Sequence, residues 1–367
     1  MESERLSSLD AFRGLTIAAM ILVNNPGSWK YVYPPLRHAE WHGWTPTDLV
    51  FPFFLFIVGV SLAISLSRRR EQRIAPAGIY LKVFSRALII FGLGIFLHLF
   101  PKFHLATMRI PGVLQRIALC YLIGALIYLS TAKWPRLAVI AVILAGYWLA
   151  MKFIPVPGYG AGVLEYKGNL AGYLDTRFLA GHLYRPEFDP EGLLSTIPAV
   201  ATVLLGTLAG DMLLSEKTLV RKAAVFFGLG SILAALGFVL HPYFPINKQL
   251  WTSTYVLFSA GLALIILGAF ILIMEEFRIK KWAYPFLVLG SNAIAVFTAS
   301  TLMTKILIWI KVSAAGKTQT LYSWIYERAF ASWAGPMIGS LAFALIYVLL
   351  WIMMLVPLYR HKVFLKV

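Results

Sequence analysis

The chain has 367 residues, of which 59% are hydrophobic and only 13% are charged. A soluble domain carries about 25% charged residues, so this composition excludes an ordinary water-soluble protein. The formal net charge of +17 does not indicate a nucleic-acid partner, because no recognition module accompanies it and basic residues beside apolar segments meet anionic lipid. The single cysteine, Cys120, excludes an intrachain disulfide and a cysteine-based zinc site.

Apolar segments follow one another along almost the whole chain. A bilayer core needs roughly 20 mostly apolar residues per helix, and this requirement predicts spans at 8–25, 49–67, 81–99, 112–130, 135–154, 196–214, 221–240, 251–273, 283–304 and 337–357. The first span is the weakest, since Asp10 and Arg13 occupy its opening turns. A short half-helix is possible within 320–335. We therefore expect an all-α polytopic membrane protein with about ten transmembrane helices, folded as one transmembrane domain over residues 1–367.

The basic residues divide the connecting loops into two sets. The loops of one set are short and dense in lysine and arginine, as at Arg68–Arg70, Lys133–Arg136, Arg221–Lys222, Lys280–Lys281 and Arg360–Lys362. The other loops are longer and richer in Trp, Tyr and Pro, and they comprise 26–48, 100–111, 155–195, 241–250 and 305–336. The positive-inside rule predicts that the first set and both termini are cytoplasmic. The long loops then face outward, and long ordered loops often carry functional sites.

The first outward loop, residues 24–48, concentrates ionisable side chains between two apolar spans. It contains His38 and His42 with Glu40 and Asp48, beside three tryptophans. An interfacial belt of aromatic residues explains the tryptophans but not the histidines and acids. Histidine is well suited to moving a proton near neutral pH. The loop therefore predicts a site of acid–base chemistry.

A metal site is the alternative interpretation of the two histidines. His38 and His42 have the spacing of ligands on one helix face. However, Pro34, Pro35 and Gly43 disfavour a regular helix in this loop. We therefore expect no metal.

A series of motifs runs in order through loops and span ends. They are Arg5–Gly14, Val23–Asn24, His38–Gly43, Asp48–Pro52, Phe56–Gly59, Arg109–Arg116, Phe188–Leu193, Pro245–Trp251 and Gly290–Asn292. Together they resemble the heparan-α-glucosaminide N-acetyltransferase family and its bacterial relatives, the transmembrane acyltransferases. The resemblance covers essentially the whole chain.

The resemblance implies a reaction, a donor and a location. Members transfer an acetyl group from cytosolic acetyl-CoA to the amine of a terminal glucosamine across the membrane. We expect coenzyme A, a small-molecule or glycan acceptor and the lipid bilayer as partners, and the resemblance also suggests a homodimer. The sequence lacks counterparts of an extra luminal domain and a leading helix of the lysosomal enzyme. This difference suggests a short prokaryotic member in the inner membrane.

The resemblance also assigns catalytic residues. The proposed catalytic histidine opens a His-Ala-x-Trp element, which places it at His38, and an asparagine near the end of the preceding helix corresponds to Asn24. His42 stands where asparagine is expected in the lysosomal enzyme, so it could share or replace the role of His38. A third candidate, Asp48, could orient the imidazole or serve as an acid at a helix N-terminus.

The chemistry of acetyl transfer accounts for these residue types independently. Attack of an amine on a thioester requires a proton acceptor, and a positioned histidine contributes about 10²–10⁴-fold to the rate. The oxyanion that develops requires a fixed donor, and an amide such as Asn24 can add about 10²–10³-fold.

Coenzyme A carries phosphates, so cations must meet it. Charged residues within or near spans are unfavourable in lipid and are often functional. Here they are Arg13, Arg86 and Arg116, and Gln115 lies beside Arg116. These four residues are the candidate donor-binding set. A structural alternative for Arg13 is a pair with Asp10, three residues away on the same helix face.

Candidate acceptor-binding residues lie in two further outward loops. The acids Asp189 and Glu191 suit a cationic amino sugar. The neighbouring Asn247, Lys248 and Trp251 suit sugar hydroxyls, although an interfacial anchor explains Trp251 equally well. His42 completes this set.

A transporter or channel for a polar solute is the rival function. Arg86, Arg116 and Asn292 would line its path, although helix packing is the simplest role for Asn292. A transporter places its polar residues near the middle of its spans, whereas the richest cluster here lies in an outward loop. The position of that cluster favours chemistry at one surface.

Overall fold

The computed structural model describes residues 6–314 and 317–365, and nearly all of their regular structure is helical. The helices are α1 (Ser7–Asn24), α2 (Val50–Glu71), α3 (Pro76–Leu99), α4 (Val113–Ser130), α5 (Lys133–Phe153), α6 (Leu170–Leu179), α7 (Leu193–Leu214), α8 (Leu219–Val239), α9 (Ser253–Phe270), α10 (Tyr284–Ser291), α11 (Ala293–Trp309), α12 (Leu321–Tyr326) and α13 (Ser332–Arg360). A π-helical segment extends α9 over Ile271–Glu276, and another, Glu327–Ala331, joins α12 to α13. Strands β1 (Lys311–Ala314) and β2 (Lys317–Thr320) form one antiparallel hairpin in which Lys311 pairs with Thr320.

Among the described residues, eight helical segments are long and apolar enough to cross a membrane, and the bent pair α10–α11 can supply a ninth. The remaining predicted span, which is the first along the chain, corresponds to α1, an 18-residue helix that is not counted among these and that carries Asp10 and Arg13 in its first two turns. Nine of the ten predicted spans each correspond to one helix and the remaining one to the bent pair α10–α11, so the prediction of an all-α polytopic membrane protein is confirmed. The half-helix considered within 320–335 is present as α12 and the π-helical segment that follows it.

Close backbone contacts between helices depend on small residues. A Cβ atom at Gly59 of α2 would lie 2.0 Å from a backbone oxygen of α7, and one at Gly206 of α7 would lie 2.1 Å from a backbone oxygen of α2. Gly14 of α1 and Gly290 of α10 meet in the same way, with distances of 1.7 and 2.0 Å. Glycine allows these backbones to touch, as is common in membrane helix pairs.

The ninth predicted span is broken at Asn292. Helices α10 and α11 meet there at 74°, and the backbone of Asn292 is not helical. Its side-chain oxygen accepts a hydrogen bond from the Leu365 N–H at 2.7 Å, and its Nδ2 donates to the Val363 carbonyl at 3.2 Å. The C-terminal tail therefore supplies two of the partners of this amide, and the adjacent Ser291 hydroxyl accepts from Nδ2 at 3.1 Å.

The loops that carry the predicted site residues meet at one end of the bundle, which we call the His38 end. The Gly43 N–H donates to the Ile246 carbonyl at 2.8 Å, joining the first loop to the loop before α9. The Ile110 N–H donates to the His182 carbonyl at 2.9 Å, joining the loop before α4 to the loop before α7. Residues far apart in the sequence are thereby brought around one space.

Candidate active site

A cavity of about 500 Å³ lies at the His38 end. Its walls come from the end of α1, the start of α2, helix α11 and the loops before α2, α4, α7 and α9. The polar and aromatic side chains around it include Asn24, His38, Glu40, Asp48, Arg109, Tyr184, Arg185, Glu191, Lys248 and Trp251. The structure therefore brings together all three predicted catalytic residues and three of the six predicted acceptor-binding residues.

His38 and Asp48 form the central pair of the cavity. Nδ1 of His38 lies 2.6 Å from Oδ1 of Asp48, whose side chain is 2% exposed while that of His38 is 48% exposed. The second carboxylate oxygen accepts hydrogen bonds from the Ala39 and Thr45 N–H groups, both at 3.0 Å. Asp48 thus combines both roles considered for it, since one oxygen meets the imidazole and the other caps the helical turn that leads into α2.

The pairing also determines the tautomer of the imidazole. An ionised carboxylate only accepts hydrogen bonds, so the neutral ring of His38 carries its proton on Nδ1 and donates it to Asp48. The lone pair then lies on Nε2. A neutral histidine held in this way is arranged to accept a proton.

Asn24 is the last residue of α1 and lines the cavity. The neighbouring Asn25 is buried, with Nδ2 donating to the Ile21 carbonyl at 2.7 Å and Oδ1 accepting from Thr304 at 2.5 Å. Of the two adjacent amides, only Asn24 faces the cavity.

The carboxylates predicted to meet an amino sugar are held by an arginine. Arg109 donates to both oxygens of Asp189, at 2.8 and 2.6 Å, and to Glu191. Burial opposes the charge of Arg109, but the bonds to Asp189 and the charge of Glu191 outweigh it and raise the pKa of the guanidinium. Asp189 is fully buried away from the cavity, whereas Glu191 lines it. Sequence reasoning missed the role of Arg109, although it begins one of the motifs.

Three more predicted acceptor residues have different surroundings. Asn247 is fully buried, and its Oδ1 accepts from the Leu250 N–H at 2.9 Å while its Nδ2 lies 3.3 Å from Nδ1 of His42. Neither Asn247 nor His42 lines the cavity. Burial lowers the pKa of His42, with Glu165 opposing this change. Trp251 is fully buried in the cavity wall, which excludes an interfacial anchor.

The four candidate donor-binding residues lie in three different helices, and the structure does not gather them into one site. Arg13 pairs with Asp10 at 2.8 Å and donates to Ser61 at 2.7 Å, as its structural alternative requires. Arg86 is exposed and lies over the ring of Tyr121.

The other two candidates are in α4. Arg116 is fully buried against Trp251 and donates to Ser195 at 2.5 Å, and Gln115 lies 3.3 Å from His98. None of these four residues lines the His38 cavity, the small apolar void beside it or the cavity at the opposite end of the bundle.

A second cavity, of about 630 Å³, lies at the opposite end of the bundle. Its lining includes Asp10 at the start of α1, Tyr284 at the start of α10, and Tyr359, Arg360 and Lys362 at the end of α13 and in the tail. Two cations therefore border a space large enough for a ligand. Within 6–314 and 317–365, no group of three or more His, Cys, Asp or Glu side chains is arranged to hold a metal ion.

These features define a polytopic membrane protein with a histidine–aspartate pair in a polar cavity at one end of its helices. Residues 5–240 match the family model described as "Heparan-alpha-glucosaminide N-acetyltransferase, catalytic". The chain belongs to this family, and the resemblance predicted from its motifs is confirmed.

Two curated relatives carry the name of the family. The human heparan-alpha-glucosaminide N-acetyltransferase is 32% identical over 352 residues, which cover 80% of this chain and 52% of the human protein. The mouse protein of the same name is 31% identical over 356 residues, covering 80% of this chain and 53% of the mouse protein. The chain therefore spans about half the length of the curated relatives it matches.

Proposed function

We propose that this protein is an acetyltransferase that moves the acetyl group of acetyl-CoA to the amine of an amino sugar, such as a terminal glucosamine, in the His38 cavity. The observation that carries the proposal is the hydrogen bond between His38 and Asp48, which lie with Asn24 in the wall of a cavity large enough for a sugar. The names of the relatives support the same reaction class.

The cavity residues account for each step of the transfer. The acceptor nitrogen attacks the thioester carbonyl carbon while Nε2 of His38 takes the proton of the amine. The C–N bond forms, the C–S bond breaks, and the thiolate of coenzyme A leaves and takes the proton from the imidazolium of His38, which returns the base to its neutral form. Asn24 donates a hydrogen bond to the developing oxyanion, and Asp48 stabilises the imidazolium.

The acceptor site is the polar rim of the cavity. Glu191 and Glu40 supply carboxylates for the amino group, and Gln249 supplies a donor near sugar hydroxyls. Arg109 fixes Glu191 in place. This arrangement suits a small amino sugar or the end of a glycan chain from the cell envelope.

The donor reaches the cavity from the opposite end of the bundle. Met20, Phe51, Val113 and Phe297 line the His38 cavity and also a small apolar void next to it. These side chains are where the pantetheine arm would pass.

The phosphates of coenzyme A then lie at the second cavity, near Arg360 and Lys362. Along α1, Asp10 and Asn24 are fourteen residues apart, which is about 21 Å at the helical rise. The positive-inside rule supports an orientation in a prokaryotic inner membrane with the second cavity on the cytoplasmic side, where acetyl-CoA is made, and the His38 end outside.

The decisive experiment removes the base. Purified His38→Ala protein, supplied with labelled acetyl-CoA and glucosamine, should lose at least about 100-fold in acetyl transfer while its melting temperature stays near that of the wild type. His104→Ala is the matched control, because His104 is exposed at the same end and does not line the cavity.

Other outcomes would change the assignment. Full activity in His38→Ala together with loss in His42→Asn would move the base to His42. Wild-type protein that neither binds coenzyme A nor acetylates glucosamine, its oligomers or envelope fragments would contradict the proposal and favour solute transport.

A further inference from the structure

Lys248 occupies an unusual position beside the histidine–aspartate pair. Its Nζ lies 3.1 Å from Nδ1 of His38 and 3.5 Å from Oδ1 of Asp48, and its side chain is only 18% exposed. The backbone around it is fixed, because its carbonyl accepts from the Trp251 N–H at 3.2 Å and the adjacent Asn247 is fully buried. The ammonium is therefore held against both members of the pair.

The contact between Lys248 and His38 is not an ordinary hydrogen bond. Nδ1 of the neutral ring has one hydrogen, and Asp48 receives it at 2.6 Å. Nδ1 then has no lone pair for the ammonium of Lys248. Attraction to Asp48 accounts for the position of Lys248, and its charge opposes the addition of a second proton to the ring.

Other charges reach His38 from the surrounding elements. Arg109 before α4, Arg185 in the loop before α7, and Glu191 at the start of α7 line the same cavity, as does Glu40 in the first loop. Glu191 is paired with Arg109. The charges that contact the ring directly are those of Asp48 and Lys248.

Burial lowers the pKa of Lys248, and the charges of Asp48 and Glu191 oppose this change. Removing a lysine from water is unfavourable unless its charge is paired. The mostly covered side chain of Lys248 therefore indicates an ion pair with Asp48 rather than a solvated surface amine.

We propose that Lys248 is a positioning residue for the base: it balances the charge of Asp48 and so keeps His38 neutral, with Nε2 free to take the proton of the acceptor amine. This inference rests on the proposed function of the cavity and revises the prediction that Lys248 binds sugar hydroxyls. Without Lys248, the unbalanced carboxylate favours an imidazolium, which cannot act as a base.

The test compares Lys248→Met with Lys248→Arg. Methionine removes the charge and keeps much of the length, so the acid limb of the pH profile of kcat/KM should move about one unit to higher pH. Activity on the acid side should then fall about tenfold, with a smaller loss at alkaline pH. Arginine keeps the charge and should restore the position of the limb. A higher acceptor KM with an unmoved limb would instead show that Lys248 contacts the sugar, and would overturn the proposal.

A second measurement does not depend on turnover. In protein with ¹⁵N-labelled histidine, the His38 signals, assigned with His38→Gln, should titrate at higher pH in Lys248→Met than in the wild type. Lys222→Met is the matched control, since Lys222 is a buried lysine that donates to the Leu213 carbonyl at 2.7 Å far from the cavity. It should alter stability alone.

These measurements separate the two proposals. Inactive wild-type protein whose His38 titration still moves in Lys248→Met would contradict acetyl transfer and support the role of Lys248. Active protein whose titration and acid limb do not move in Lys248→Met would contradict the role of Lys248 alone.

Discussion

At the scale of single residues, Asp48 links the fold of the first loop to the chemistry proposed for it. Three donors of the loop, the two N–H groups of Ala39 and Thr45 and the Thr45 hydroxyl, converge on one of its oxygens, and the other oxygen receives His38. The same carboxylate caps the turn and orients the imidazole, so the folding of the loop also fixes the orientation of His38.

Asp48→Asn separates these two roles. The amide keeps one acceptor oxygen, so the ring of His38 and the cap at Thr45 can no longer both be satisfied, and the ring can adopt the wrong tautomer. We expect kcat to fall by about 10²–10⁴-fold and the free energy of unfolding to fall by about 1–3 kcal/mol. Kinetics and thermal melts on the same preparation measure both. Unchanged kcat in a stable variant would show that Asp48 is a cap alone.

The sequence predicted several of these residues because their chemistry does not depend on knowing the fold. Asn24 and Asp48 are polar residues next to span ends, His38 and Lys248 lie in the connecting loops, and all four line the cavity. The sequence did not predict that Arg109 would hold Asp189 and Glu191, since that depends on which loop packs against which.

At the scale of secondary structure, α2 and α7 pack against each other further into the bundle than the residues that line the cavity. The backbones touch at Gly59 and Gly206. Helix α2 begins two residues after Asp48, and α7 begins two residues after Glu191. The spacing of these two helices therefore sets the width of the site between them.

Gly59→Ala tests this contact with a single methyl group. The added Cβ would lie 2.0 Å from a backbone oxygen, so the helices must separate, which we expect to lower stability by about 1–3 kcal/mol. Gly92→Ala is the control, because no atom lies within 4 Å of a Cβ at that position, and it should be neutral or stabilising. Equal melting temperatures for both variants would contradict the structural role of Gly59.

Asp175 connects α6 to the start of α7. It accepts the N–H groups of Leu193 at 2.8 Å and of Asp189 at 3.2 Å. Burial raises the pKa of this carboxyl to about 6, with the two backbone donors opposing the change. A carboxyl whose pKa is higher in the folded state than in the unfolded chain weakens folding as the pH rises from about 4 through 6.

The pH dependence of Asp175→Asn should reveal this contribution. Relative to Asp175→Asn, the wild type should lose about 3 kcal/mol between pH 4 and pH 7, since a shift of one pKa unit corresponds to about 1.4 kcal/mol. Melting curves of both proteins across this range provide the measurement. A constant difference at all pH values would show that the carboxyl has an ordinary pKa.

The break between α10 and α11 shows what a hydropathy pattern cannot predict. The ninth apolar segment has the length of one span, and only the tail residues that bond to Asn292 reveal that it is two helices. A pattern along the chain gives the length of a helix, whereas a bend depends on contacts with a distant segment.

At the scale of the whole molecule, the two cavities lie at opposite ends of one bundle, and the proposed reaction requires both. The grouping of the loops could be predicted from their charge, because the short cytoplasmic connections carry an excess of lysine and arginine. The cations beside the second cavity were not among the predicted donor-binding residues, because they come from the end of α13 and the tail, whereas Arg13, Arg86 and Arg116 contact other side chains of the bundle. A charged side chain near a span is unfavourable in lipid. The sequence reveals that such a charge is present, but only the folded structure shows which group stabilises it.

Two cysteine variants fix the orientation of the bundle. Lys167 lies in an exposed loop at the His38 end and Glu216 in the exposed connection between α7 and α8, while Cys120 is buried and should give little background. In intact cells, a membrane-impermeant maleimide should label Lys167→Cys at once and Glu216→Cys only after permeabilisation. The reverse pattern would place the His38 end in the cytoplasm.

Sealed proteoliposomes then test transfer across the membrane. With acetyl-CoA enclosed and a labelled amino sugar outside, molecules whose His38 end faces outward should produce acetylated sugar outside while free coenzyme A accumulates inside. In this experiment we expect neither substrate to cross the bilayer. Only the pantetheine arm of acetyl-CoA would extend through the bundle and bring the thioester to the acceptor. Product that forms only with both substrates on one side would contradict this path, and the labelling pattern would then show which of the two cavities binds both.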